Sequence, residues 1–137
     1  MLGGPSAVTA PNQTESTRAL ARQYVEEVLI QRDFLRLKEF VADKLIQHSP
    51  ELGDGLQALR AALTENSGDE PNIQYQTLHR VLAEGEFALT MCEGRKAGVH
   101  TSFYDLYRIS DGVIAEHWDT VETIAPRSEW KNRNGKF

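Results

Sequence analysis

The spacing of apolar residues changes once along this chain, from a helical period before residue 65 to alternation after residue 73. From about Glu15 to Arg32, Leu20, Tyr24 and Val28, and beside them Ala21, Val25 and Leu29, recur every four residues with charges between them. That is the buried stripe of an amphipathic helix, which Asn12 or Thr14 can cap. Phe34, Leu37, Phe40 and Val41 predict a shorter second helix after a break at residues 31–33. Leu45 to Pro50 predicts a short extended segment ending in a turn, because a proline biases the residue before it, Ser49, away from helix. A third helix, Leu56 to about Glu65, buries Leu56, Leu59, Ala62 and Leu63, with Asp54 as its cap.

Beyond the loop at residues 67–71 two hairpins follow. Ile73 to Ala83 and Phe87 to Glu93 flank Glu84-Gly85-Glu86; with a three-residue loop, His79, Val81, Ala83, Phe87, Leu89 and Met91 share one face. In the second, Val99 to Ile109 and Val113 to Val121 flank Ser110-Asp111-Gly112. A three-residue loop with Gly112 in the bulge position pairs Ile109 with Val113, Tyr107 with Ala115, Asp105 with His117 and Phe103 with Asp119. A two-residue Asp111-Gly112 turn shifts the pairing by one and sends His117 and Asp119 to the face opposite Asp105. The longer loop is the better reading, since it gathers Val99, Phe103, Tyr107, Ile109, Val113, Ala115 and Val121 on one apolar face with Asp105, His117 and Asp119 in its middle. The other face then carries Tyr104, Leu106, Ile114 and Trp118, more large apolar surface than a monomer usually exposes, which predicts a homodimer through it. Helices first and antiparallel strands after imply an α+β fold with three N-terminal helices on a curved, mainly antiparallel sheet.

Length and charge narrow the function. At 137 residues the chain fits one domain, residues 15–137, after a flexible Gly/Pro/Ser-rich arm at 1–14. No apolar segment resembles a signal peptide or membrane anchor, so a cytoplasmic protein without membrane contact is expected. A net charge of −5 lacks the basic footprint that nucleic acid or an anionic membrane requires. The one local excess of positive charge, Arg127 to Lys136, is read as a solvated tail. The single Cys92 lies in an apolar strand and is read as an inert buried thiol. There is no glycine-rich phosphate loop, cysteine cluster or Gly-x-Ser-x-Gly elbow.

Three ionisable groups on an apolar face are either a satisfied ion pair, Asp105 with His117, or a site. As a site, Asp119 is the general acid/base, His117 and His48 orient substrate oxygens or tune Asp119, and Asp105 is a neutral donor or the partner of His117. Tyr24, His79, Val81, Leu89, Met91, Phe103 and Tyr107 are the expected substrate-binding walls. His48, His79, His117, Asp105 and Asp119 could also supply metal ligands, but His117-x-Asp119 is the only short-range pair, so neither a metal nor an organic cofactor is expected.

The segments Ile46-Gln47-His48-Ser49-Pro50 with Glu51-Leu52-Gly53-Asp54-Gly55, His79-Arg80-Val81-Leu82-Ala83-Glu84-Gly85, Tyr104-Asp105-Leu106-Tyr107-Arg108 and Asp111 to Asp119 together resemble the SnoaL-like polyketide cyclase group of the nuclear transport factor 2-like superfamily. The resemblance runs from about Arg18 to Phe137. It implies a cone-shaped half-barrel with a deep pocket between sheet and helices, dimeric through the outer sheet face. Asp105 resembles the position where ketosteroid isomerases keep a protonated aspartate, and Asp119 or His117 that of the acid/base aspartate of polyketide cyclases. The implied function is cofactor-independent acid/base chemistry on a small hydrophobic carbonyl compound, of aldol, lyase or isomerase type. The alternatives are a non-catalytic binding module of the same fold, a metal-dependent site and an epoxide hydrolase.

Overall fold

The computed structural model describes residues 3–137. Helix α1, Thr14–Gln23, continues without a break into wider π-helical turns over Tyr24–Ile30. Its stripe of Thr17, Ala21, Tyr24, Val25, Val28 and Leu29 is buried, as the four-residue spacing requires. Helix α2 is a single turn, Leu37–Phe40, and Val41 already opens strand β1, Val41–Gln47. Helix α3, Leu56–Thr64, buries Leu56, Leu59 and Leu63. Its expected cap is absent: Gly55 holds the N-cap position with φ 93°, and Asp54 Oδ1 instead accepts the Gln47 amide at 2.8 Å, tying the β1–α3 loop to the sheet. The first helix likewise has no side-chain cap, and the Thr14 hydroxyl accepts the Gly85 amide instead.

A short pair, β2 (Asn66–Ser67) and β3 (Glu70–Pro71), precedes the long strands β4 (Ile73–Glu84), β5 (Phe87–Lys96), β6 (Val99–Ser110) and β7 (Val113–Thr123). The main sheet has the order β1-β7-β6-β5-β4, antiparallel except for β1, which runs parallel to β7. The fold is therefore α+β, three N-terminal helices against a mixed sheet, and the core lies between them, from Ala21, Val25 and Leu37 to Ala88, Cys92 and Ile114.

Both long hairpins turn in two residues rather than three. Asp111 and Gly112 take φ of 52° and 77°, so Ser110 faces Val113 and Ile109 faces Ile114. That pairing alone would have sent His117 outward. One residue later Ala115 is left unpaired as a bulge, the register slips, and Arg108 meets Glu116, Tyr107 meets His117 and Asp105 meets Asp119. Asp105, His117 and Asp119 thus share the inner face as expected, two residues out of the expected register. The two-residue turn, which pairs Ile114 with the buried Ile109 ahead of the slip, places Ile114 in the core rather than on the outer face.

At the β4–β5 turn no bulge on β5 compensates. Glu84 pairs with Phe87 across Gly85-Glu86, so the inner face of β5 is Ala88, Thr90 and Cys92, while Phe87, Leu89 and Met91 face outward. Cys92 is fully buried, and burial first, then the charge of Asp105, pushes its thiol up to about 12. The buried, inert reading of this residue stands.

Both ends of the described residues are tied down. The arm from Gly3 lies across the outer face, where Gly3 accepts the Trp118 indole N–H and the amide and hydroxyl of Thr9 bond the Glu86 carboxylate. The start of the expected flexible arm, Met1 and Leu2, lies outside the described residues. The tail also folds back: Lys136 pairs with Glu122 at 3.0 Å and the Phe137 ring stacks on His79 with centroids 4.2 Å apart.

One position where a side chain has no room connects this frame to the site. A methyl group at Gly94 in β5 would run into the Gln74 carbonyl oxygen and come within 3.1 Å of the Phe103 ring. The missing side chain lets Tyr75 and Phe103 meet with ring centroids 4.4 Å apart. Gly94→Ala is expected to destabilise the protein by about 1–3 kcal/mol in urea denaturation, the usual cost of overpacking a close contact.

Candidate functional site

Strands β6 and β7 set the polar centre. Asp105 and Asp119 are cross-strand partners, and His117, two residues before Asp119, shares their face. Asp105 is 1% exposed and His117 7%, whereas Asp119 is half-buried. Asp105 Oδ1 lies 2.7 Å from His117 Nε2, and Oδ2 accepts the Tyr75 hydroxyl at 2.8 Å. The other ring nitrogen of His117, Nδ1, lies 2.8 Å from Gln47 Oε1 on β1, and the imidazole stacks on Tyr107 at 5.3 Å. Both nitrogens of His117 and both oxygens of Asp105 are thus held by named partners, as buried polar groups require.

These groups close one end of a narrow cavity of about 50 Å³ between helices and sheet, room for a handful of waters. Its body is apolar, with Leu29, Leu45, Leu59, Leu63, Phe103 and Ile114 among the walls. Tyr24, from the π-helical segment, stands edge-on to Tyr107 at 5.6 Å. At the mouth Lys96 and Glu51 form an ion pair between the end of β5 and the β1–α3 loop. Ser49, Glu51, Lys96, Asp119 and Val121 border both this cavity and a wider vestibule outside it.

The electrostatics separate the two aspartates. Asp119 titrates above the ordinary aspartate range: burial raises it most, the charge of Asp105 adds to this, and His117, Ser49 and Lys96 oppose it. Burial and then the charge of Asp105 also raise Tyr24, Tyr75 and Tyr107, so all three phenols stay protonated at neutral pH. The ligand-capable atoms of Asp105, His117 and Asp119 all lie within 4.8 Å of one another, a donor set that could hold a metal.

Of the residues singled out in the sequence, His117, Asp119, Phe103, Tyr107 and Tyr24 border this cavity, and Asp105 lies behind them, bonded to His117. His48 does not. It bonds Glu116 at 2.6 Å on the opposite face and stacks on Trp118, because neighbouring residues of β1 alternate and Gln47 takes the inward position. His79 sits in a bulge of β4 and bonds Glu93 at 2.9 Å on the outside, where His100 also binds the same carboxylate. Leu89 and Met91 face out with the β5 parity, and Val81 is buried in the core opposite Thr90 without reaching the cavity. Gln47, Ser49, Tyr75, Lys96 and Glu51 were missed. Gln47 and Ser49 flank the misplaced His48, so the strand was identified and its parity was not; Tyr75 is displaced by two bulges in β4 that carry no sequence signal.

The raised Asp119 has a definite sign in stability. A folded state that binds this proton more tightly than the unfolded chain is favoured at low pH, and the advantage is lost as pH rises through the raised pKa. Asp119→Asn, which cannot ionise, is expected to remove that pH-dependent loss and to be at least as stable as the parent at pH 7; urea titrations at pH 4 and pH 7 test this.

The chain matches the profile of the SnoaL-like domain over residues 21–117. No curated protein matches it. Among solved structures it is similar to a ketosteroid-isomerase-like protein of Kribbella flavida, at TM-score 0.71 and 22% identity over 90% of this chain and 94% of that one. It is also similar to an NTF-2 like protein of Burkholderia xenovorans, at TM-score 0.65 and 17% identity over 90% and 99%. An LEH-like epoxide hydrolase of M. tuberculosis aligns at TM-score 0.61 and 17% identity over 80% and 85%. At these identities the likeness is one of fold.

Proposed function

Because the chain belongs to the SnoaL-like domain family, within the NTF2-like superfamily, we propose that it is a small-molecule enzyme in which Asp119 moves a proton next to a substrate carbonyl. The observation that carries this reading is the division of labour between the two carboxyls. Asp105 is sealed by Tyr75 and His117, while Asp119 borders both cavity and vestibule and titrates above the ordinary aspartate range. A base whose pKa is raised, in contact with both the cavity and the vestibule, suits general acid/base catalysis.

In the aldol form of the reaction, the Asp119 carboxylate removes a proton from carbon adjacent to the carbonyl. The enolate oxygen accepts a hydrogen bond from a buried phenol, Tyr24 being the one on the helix side of the cavity. The enolate carbon attacks a second carbonyl, and the protonated Asp119 returns its proton to the new alkoxide, leaving the enzyme unchanged. Lyase and isomerase variants use the same proton shuttle and differ in where the proton is returned. The narrow, apolar cavity suits a slender hydrophobic compound, with the Lys96–Glu51 pair parting at the mouth to admit it.

Two further parts of the reading concern assembly and place. Leu82, Leu89, Leu106 and Trp118 form one cross-strand row over β4, β5, β6 and β7 on the outer face, and Leu82 is 55% exposed. A homodimer through this row removes it from water. No helix among the described residues is long and apolar enough to cross a membrane, and the reduced, buried Cys92 and net charge of −5 fit a cytoplasmic protein that does not bind nucleic acid.

With a panel of small carbonyl, hydroxy-ketone and epoxide compounds, Asp119→Asn is expected to lose about 10²-fold or more in kcat while KM stays within a few-fold. No Asp119-dependent turnover across the panel, with ligand affinity unchanged in the variant, replaces the enzyme by a binding protein of the same fold. Light scattering at micromolar concentration is expected to give the dimer mass for the parent protein and the monomer mass for Leu106→Asp; a monomeric parent rejects the interface.

A further inference from the structure

We propose that Asp105, His117 and Asp119 form a binding site for one divalent transition-metal ion of the zinc class, with the fourth position open to the cavity that His117 and Asp119 line. This departs from the proton-transfer reading, in which Asp119 is unligated and no metal is required, and runs against the expectation drawn from sequence spacing. Spacing along the chain is a poor guide here because the site forms across two strands: His117 and Asp119 are two apart on β7, and Asp105 faces Asp119 from β6. Their donor atoms lie within 4.8 Å of one another on rigid, paired backbone, so little ordering is needed on binding.

The surroundings are those an Nε2-ligating histidine needs. Such an imidazole donates its Nδ1–H to a fixed acceptor, and Gln47 Oε1 stands 2.8 Å from His117 Nδ1. Tyr75 occupies Asp105 Oδ2 at 2.8 Å, which leaves Oδ1 for a single bond to metal. Ligand atoms at zinc distances in a tetrahedron are roughly 3.3 Å apart. The His117 Nε2 to Asp105 Oδ1 separation of 2.7 Å therefore has to open by about half an ångström as the shared hydrogen leaves and the ion takes its place. Charge favours the exchange: two carboxylates and a neutral imidazole are matched by a dication, whereas Lys96, the cation bordering the cavity, is paired with Glu51. One nitrogen and two oxygens with an open position suit zinc or cobalt; magnesium and calcium demand more oxygen ligands than these three residues present.

Protein purified with chelator, then dialysed free of it, is titrated with ZnCl2 by calorimetry and with CoCl2 by visible absorption. The expected result is one ion per chain, visible d–d bands with cobalt, and no heat with MgCl2. His117→Ala should weaken binding by about 100-fold or more, and Gln47→Leu, which touches no ion, by about 10–100-fold. His79→Ala and His100→Ala, on the outer face, should leave it unchanged. Stoichiometric binding that survives His117→Ala, that is lost on His79→Ala or His100→Ala, or that is absent in the parent at millimolar metal overturns the site. If His117→Ala does not fold, the imidazole ¹⁵N shifts of His117 in the parent decide: Nε2 must move on adding zinc, and an unmoved Nε2 rejects the proposal. The titration reads metal alone, so its failure leaves the Asp119 turnover experiment standing, and the reverse holds too.

Discussion

The hydrogen bond between the Asp105 carboxylate and the His117 ring is the interaction on which the interior depends. A carboxylate 1% exposed survives in a protein core only with partners, and here both oxygens are met, one by imidazole and one by the Tyr75 phenol. Removing one member of such a buried pair typically costs about 3–5 kcal/mol, because the other is left uncompensated. The distances that surround it follow from this constraint. β1 has to bring Gln47 to the far nitrogen, β4 has to bend twice to aim Tyr75, and β5 has to be bare at Gly94 for Tyr75 and Phe103 to fit.

Burial, reinforced by that charge, bears on which of its neighbours can exchange protons. Tyr24, Tyr75, Tyr107 and the Cys92 thiol are all raised by burial and then by Asp105, so none of them ionises at neutral pH. Asp119 is raised as well, but it starts from a far lower value and stays in contact with the vestibule. Burial, with the charge of Asp105 added to it, raises all five groups, and only for the carboxyl does that direction lead toward neutral pH. Nucleophilic chemistry by cysteine or phenolate is disfavoured by this arrangement.

The sequence made the layers legible and left the parity of single strands in doubt. A stripe of six apolar residues at helical spacing and two runs of strict alternation were enough for α1, α3, β6 and β7, because each signal is carried by many residues and survives local error. Inward or outward facing in a strand hangs on one residue of loop length, and both long loops are one residue shorter than read. At β6–β7 the Ala115 bulge cancelled the error, so Asp105, His117 and Asp119 fell together for a reason other than the one inferred. At β4–β5 nothing cancelled it, and Leu89 and Met91 went to the other side. His48 failed differently: its strand pairs with β7 in parallel, 70 residues away in the case of Gln47 and His117, and no local pattern encodes that register.

Ala115 itself is a methyl group with no polar atom and no place in the chemistry, and substituting it would touch little that the site uses. Its importance lies in being left out of the pairing. If Ala115 were drawn into the ladder opposite Arg108, Asp105, His117 and Asp119 would all be present in the chain, but His117 and Asp119 would turn to the opposite face, beside Leu106. The site therefore depends on this residue staying outside the ladder, and its deletion would leave Ile114 opposite Ile109, Glu116 opposite Arg108 and His117 opposite Tyr107. A single residue inserted between Glu116 and His117 and paired in the ladder would turn the cavity's polar end outward without altering a single residue that lines it, and a scan of substitutions alone would never reveal this.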